Sequence, residues 1–195
     1  MPDDVSPEPA KAAMRRRMLA RRAAVTDLAT AASAVRRHVL AAPWSRTGCC
    51  VAAYVPIGSE PGSLDLLDAL TVGGCRVLLP VVSTDVLDWA VYDGALAPGP
   101  WGLRQPAGRR LGATALAQAD AALVPALAVD LQGTRLGRGA GFYDRSLPYA
   151  TPQTPLVALL HDGELVDEEL PSDEHDVPMT AAITPTGGLV QIGRS

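Results

Sequence analysis

The chain has 195 residues, 48% of them hydrophobic and 19% charged, which excludes a disordered polymer and suits one domain burying about 70% of its unfolded surface. A formal net charge of -4 excludes the broad basic footprint of a general nucleic-acid binder. No run reaches the roughly 18 apolar residues that a membrane span needs, so neither nucleic acid nor membrane is an expected partner.

The opening MPDDVSPEPA is acidic and proline-rich and lacks the basic and then apolar pattern of a secretory signal; residues 1–8 are expected to be a disordered tail. Two alanine-rich stretches follow, 9–24 and 26–41, with leucine, valine and methionine at helical spacing and Thr26 as the candidate cap of the second. Short β-rich runs come next, at 49–55, 75–82, 88–92, 122–129, 156–161 and 180–184. Several are apolar throughout instead of alternating, the mark of strands covered on both faces. Between the first two lies SLDLLDALTVGG, which reads as a helix capped by Ser63 and stopped by Gly73 and Gly74. The expected fold is α/β: a single three-layer domain over residues 9–195, with a mostly parallel or mixed central sheet flanked by helices and two helices at the N-terminal end. Residues 93–112, rich in glycine and proline, are expected to form a long surface loop of the kind that carries function. Cys49, Cys50 and Cys75 have neither disulfide nor metal-ligand arithmetic and read as core thiols of a reducing compartment. His38, His161 and His175 have no zinc-like spacing.

Chemistry concentrates in VDLQGTRLGRGAGFYDRSL, residues 129–147. Gly137, Gly139 and Gly141 let backbone N–H groups approach an anion, and Arg135 and Arg138 stand beside them. FYDRSL reads as helical, which would place the glycine loop at a helix N-terminus that attracts phosphate. Asp144, on the first turn, is positioned to hold magnesium next to a bound polyphosphate. The spacing matches neither the dinucleotide-binding G-x-G-x-x-G, because Phe142 stands where the third glycine belongs, nor the G-x-x-x-x-G-K-S/T loop. Composition and periodicity therefore end at a phosphate-binding α/β domain.

The run VPALAVDLQG followed by RLGRGAGFYDRSL resembles the signature of the 5-formyltetrahydrofolate cyclo-ligase family, roughly P-G-L-A-F-D, a short spacer and R-L-G-x-G-x-G-Y-Y-D. The likeness extends from an early lysine and arginine, Lys11 and Arg15, to the late P-x-x-x-H-D segment in LPSDEHDVPMT. It implies that ATP is held by Lys11, Arg15, Arg135, Leu136, Gly137, Arg138, Gly139, Ala140, Gly141, Phe142 and Tyr143. Ile57, Glu60, Trp101 and Phe142 then contact the folate, and Asp144 and Asp176 hold Mg2+. The implied reaction is cyclisation of 5-formyltetrahydrofolate, also as polyglutamate, to 5,10-methenyltetrahydrofolate, with Arg138 as the catalytic charge on the transferred phosphoryl group. A cytoplasmic monomer is expected, since no heptad pattern marks an interface.

The chain departs from the pattern at Gly62, where relatives carry a polar or acidic residue, and at Thr180, where an aspartate is usual. Ala140 replaces a lysine found in some relatives, and Phe142 replaces the first of two tyrosines. Two other readings stay open: a non-catalytic folate or nucleotide binder of the same fold, and an ATP-dependent kinase for another small molecule.

Overall fold

A computed structural model describes residues 7–173 and 175–193. In chain order these form helices α1 (Pro7–Ala23) and α2 (Leu28–Leu40), strand β1 (Cys50–Ala52), helix α3 (Leu64–Val72) and strands β2 (Arg76–Val82) and β3 (Leu87–Val91). The hairpin strands β4 (Ala97–Pro98) and β5 (Arg104–Gln105) come next, then β6 (Ala121–Pro125), β7 (Ala128–Asp130) and β8 (Arg135–Leu136). Helix α4 (Phe142–Ser146) precedes β9 (Leu156–Leu159), β10 (Leu165–Val166), β11 (Ala181–Thr184) and β12 (Gly188–Gln191).

The main sheet has the order β12-β11-β9-β6-β1-β2-β3. Its centre is parallel, with β1 pairing both β2 and β6, and β9 pairing both β6 and β11. The two edges, β3 and β12, run antiparallel to their neighbours. Alternate residues of each inner strand face opposite cores, which is why the runs read as apolar throughout. In β6, Ala121 and Leu123 face the layer of α2 and α3, where Val35, Val39, Leu66 and Leu70 pack. Ala122 and Val124 face the other layer, built by 3-10 turns at 113–118 and 147–149 and by α4, with Leu116 and Leu147. The mixed sheet between two layers matches the expected architecture.

Helix α1 takes a different place. It lies against a second, three-stranded sheet of order β10-β7-β8, with Met18 packed on Leu127, Leu136, Val166 and Leu170. Of the disordered tail expected at 1–8, residues 1–6 lie outside the described residues, whereas Pro7 and Glu8 are helical, and Glu8 accepts a hydrogen bond from Arg15 at 2.8 Å. Proline suits a first helical turn because that turn has no intrahelical use for its missing N–H. The cap of α2 is Asp27 instead of Thr26, its carboxylate accepting from the Thr30 N–H at 2.9 Å. Ser63 caps α3 as expected, accepting from Leu66 N–H at 3.1 Å.

Two expectations are corrected. The run at 122–129 is two strands in two sheets, because Pro125 ends β6 without an N–H to donate and Leu127 N–H turns to the Leu136 carbonyl at 2.7 Å. The loop at 93–112 contains the β4–β5 hairpin and a 3-10 turn at Pro100–Gly102. The three cysteines are buried and unpaired. Burial raises the thiol pKa of Cys50 and of Cys75, so both stay protonated.

Candidate active site

From β1 the chain order runs outward through β2 and β3 on one side, and through β6, β9 and β11 on the other. Where the winding reverses, the loops after β1 and β6 part, and such switch points open a crevice at the carboxyl ends of parallel strands. A cavity of about 230 Å³ sits there. Its floor holds Tyr54, Val82 and Pro125 from the ends of β1, β2 and β6. The loop at 57–60, the hairpin residues 101–105 and the glycine loop from Arg135 to Asp144 wall it in.

Charge in this cavity is organised by pairing. Arg138 on the glycine loop donates from Nε to Glu60 Oε1 at 2.8 Å, and Glu60 Oε2 accepts from the Ile57 N–H at 3.1 Å. The two walls are thus bridged by an ion pair between the glycine loop and the 57–60 loop. Arg135 pairs with Asp144 and lies 5.8 Å over the ring of Tyr143. Burial raises the Tyr143 phenol pKa, and the Glu60 charge raises it further against the opposing pull of Arg135, so this hydroxyl is a neutral donor at physiological pH.

Helix α1 lies beside the glycine loop, and of its described residues only Arg22 lines the cavity. Lys11, Arg15, Met18 and Arg22 recur at intervals of four, three and four residues, which puts them on one helix face. Arg15 Nε donates to the Gly137 carbonyl at 3.2 Å, and its guanidinium lies so close to Gly139 that a Cβ there would stand 3.4 Å from Cζ. Gly139 also has φ 102°, a conformation other residues rarely adopt. One turn earlier, Lys11 Nζ donates to Asp173 at 2.6 Å and to Asp176 at 3.0 Å. Burial pulls the Lys11 pKa down, but the bonds and charges of the two aspartates outweigh it and hold it above its ordinary value. At the other end of the stripe, Arg22 grips the Glu164 carboxylate with two bonds of 2.8 and 2.6 Å and donates to the Ala126 carbonyl at 2.7 Å.

The geometry brings together Ile57, Glu60, Trp101, Arg135, Phe142, Tyr143, Asp144 and the loop Gly137–Gly141 around one cavity. Trp101 lies 6.0 Å from Phe142 between ring centroids, tilted by 46°. Leu136 turns its side chain into the core beside Met18, so only its main chain belongs to the loop. Asp176 is not in the cavity wall; it stands with Lys11, and Asp144 stands with Arg135. No cluster of three or more His, Cys, Asp or Glu groups occurs among the described residues. Helix α4 begins where the FYDRSL reading expects and has only five residues, so its dipole is small.

Three further residues at this site escaped the sequence reading. Arg22 and Arg104 line the cavity, and buried His161 faces the Ser59 carbonyl with Nε2 at 2.9 Å. A carbonyl only accepts, so Nε2 carries the hydrogen and ties the 57–60 loop to the end of β9. The periodicity of α1 signals Arg22; nothing local to the sequence signals the other two.

Residues 7–185 match the model of the 5-formyltetrahydrofolate cyclo-ligase family. The chain belongs to that family. A 5-formyltetrahydrofolate cyclo-ligase of Mycolicibacterium smegmatis is 49% identical over 153 residues, covering 75% of this chain and 78% of the relative. Its Escherichia coli counterpart is 33% identical over 142 residues, covering 70% and 78%. Among solved structures, the 5,10-methenyltetrahydrofolate synthetase of Aquifex aeolicus superposes with a TM-score of 0.77 over 95% of both chains at 26% identity. As a cyclo-ligase the chain is an enzyme, a ligase with folate-related function.

Within the cyclo-ligase frame, two of the departures from the family pattern, Gly62 and Thr180, have local physical reasons. Gly62 has φ 100°, with Pro56 and the Tyr54 hydroxyl close by, so a side chain here would be strained. Thr180 Oγ1 accepts from Leu156 N–H at 3.0 Å and joins the start of β9 to the approach to β11.

Proposed function

We propose that this cyclo-ligase uses ATP, with Mg2+, to close 5-formyltetrahydrofolate into 5,10-methenyltetrahydrofolate, releasing ADP and phosphate. The observation that carries the reading is the Arg138–Glu60 bridge, which sets the more exposed cation of the glycine loop against the folate-side carboxylate across one cavity. ATP phosphates lie along Lys11, Arg15, Arg135 and the N–H groups of the glycine loop. The pterin ring lies among Ile57, Trp101 and Phe142.

The γ-phosphoryl group passes to the N5-formyl oxygen, N10 attacks the activated carbon and loses its proton, and phosphate departs as the methenyl bridge closes. Such a transfer is catalysed by positioning and charge more than by acid–base groups. Arg138, 44% exposed at its side chain and held by one carboxylate, is free to exchange Glu60 for the transferred phosphoryl oxygens. Glu60, released from it, is then an acceptor for the N–H edge of the pterin. Tyr143 keeps its proton and donates. Asp144 and Asp176 are oxygen donors of the type magnesium takes alongside phosphate; they would hold the ion, which would supply positive charge to the phosphates. The proposal includes a single domain over residues 9–195, acting as a cytoplasmic monomer and accepting polyglutamylated substrate.

The test is the near-ultraviolet absorbance of the methenyl product in a mixture of protein, Mg2+, ATP and 5-formyltetrahydrofolate. The band is expected to grow only when ATP and Mg2+ are both present. Arg138→Ala is expected to lower kcat by about a hundredfold, the scale of losing one preorganised charge at the transferred group, and full turnover by that variant would remove Arg138 from the role.

A further inference from the structure

Four arginines line the cavity: Arg22, Arg104, Arg135 and Arg138. Three of them are paired, with Glu164, Asp144 and Glu60 respectively. Arg104 has no ion pair and no side-chain hydrogen bond among the described residues. It is held on β5, whose neighbour Gln105 accepts from the Val82 N–H at 3.2 Å and so fastens the hairpin to the end of β2. The same cavity wall also holds Pro80, Val82, Leu87 and Leu103. A cation on a fixed hairpin, beside apolar surface and without a protein carboxylate, is matched to an anion brought by the ligand.

We propose that Arg104 binds a carboxylate of the substrate's glutamyl tail, which makes it a specificity-determining residue. The proposal rests on the folate reading above. With the formyl group turned toward the glycine loop, from which the phosphoryl group comes, the glutamyl end lies away from that loop. Among the cavity-lining cations that do not belong to that loop, Arg22 is claimed by Glu164 and Arg104 is claimed by no carboxylate among the described residues. The guanidinium fork fits a planar carboxylate through two parallel hydrogen bonds, and its exposed position at the rim leaves room for a tail that continues into solvent.

The experiment compares wild type, Arg104→Gln and Arg104→Lys with two substrates, 5-formyltetrahydrofolate and 5-formyltetrahydropteroate, which lacks the glutamate. Arg104→Gln is expected to raise KM about tenfold for the first substrate, the scale of a charge-assisted hydrogen bond, with the rise specific to the substrate that carries the glutamate. Arg104→Lys is expected to fall between the two, since a point charge keeps attraction without the fork. Added salt is expected to raise the wild-type KM for the glutamate-bearing substrate more than that of Arg104→Gln. Equal KM in wild type and Arg104→Gln, an equal rise for both substrates, or a rise in KM for ATP would each overturn the assignment while the cyclisation itself stood. Wild-type protein that closed neither substrate would overturn the folate reading and the Arg104 role together.

Discussion

Trp101 has φ 54° and ψ 29°, a left-handed conformation that costs an ordinary residue about 1–2 kcal/mol, and it leaves 75% of its surface exposed. An indole that is both strained and exposed adds little to the fold, so its place beside Phe142 is explained by what enters the cavity. Trp101→Gly removes the strain and, in exchange, gives the unfolded chain more freedom worth about 0.5–1 kcal/mol. The two terms nearly cancel. Thermal or urea unfolding should therefore find stability within about 1 kcal/mol of wild type, while the KM for folate rises severalfold. A large loss of stability would show that the ring serves the fold. The tryptophan itself was legible in the sequence through the PWGLRQP stretch; its left-handed backbone was not, because no glycine or asparagine announces it.

At the scale of elements, α1 carries polar side chains on its inward face, the reverse of an ordinary amphipathic helix. Its buried face closes the site, and Arg22–Glu164 is the clamp. The Glu164 carboxylate also accepts from the His161 N–H at 2.8 Å, so one buried pair joins α1, the end of β9 and the turn between β6 and β7. Glu164→Gln leaves the Arg22 charge buried without its partner and should cost about 3–5 kcal/mol, seen as a lower urea midpoint with an unchanged slope. The double variant Arg22→Met, Glu164→Leu should recover much of that loss, because an apolar pair carries no desolvation penalty. The helices, the core strands and the glycine loop were legible because helix periodicity, covered strands and turn glycines are local signals. The split of 122–129 and the short strands β4, β5, β8 and β10 were not, since pairs of two or three residues are made by distant partners such as Leu127 and Leu136. In the site, Ile57, Glu60, Trp101 and the glycine-loop residues that the family motif carries converge on the cavity, Lys11, Arg15 and Asp176 stand outside its wall, and Arg104 and His161 depend on packing that no local pattern encodes.

Across the whole molecule, burial sets the behaviour of the phenols. Three of the four tyrosines, Tyr54, Tyr92 and Tyr143, have a raised pKa chiefly through burial, with Tyr92 pushed up to about 12 and also donating to Asp68 at 2.7 Å. The sign follows from the neutral form being favoured in the fold: these groups contribute fully below pH 10, and their contribution fades as pH rises from 10 through the folded values. Phenolate absorbance should therefore show those three tyrosines still protonated as native protein passes pH 10. In urea all four should ionise together near that pH. Native protein in which all four ionised together would contradict the packing of the central sheet against α3 and the glycine loop.

The salt bridge between Lys11 and Asp173 spans 162 positions of sequence. A ribosome adds roughly 5–20 residues per second, so the first helix leaves the exit tunnel on the order of ten seconds before the aspartates that receive its lysine have been made. During that wait Lys11 and Arg22 lack the carboxylates that pair with them in the fold, while Arg15 has Glu8 on the same helix. The growing polypeptide cannot form the bridges from Lys11 until Asp173 and Asp176 have emerged, and a nascent chain halted at residue 170 would lack both however well its earlier strands had paired.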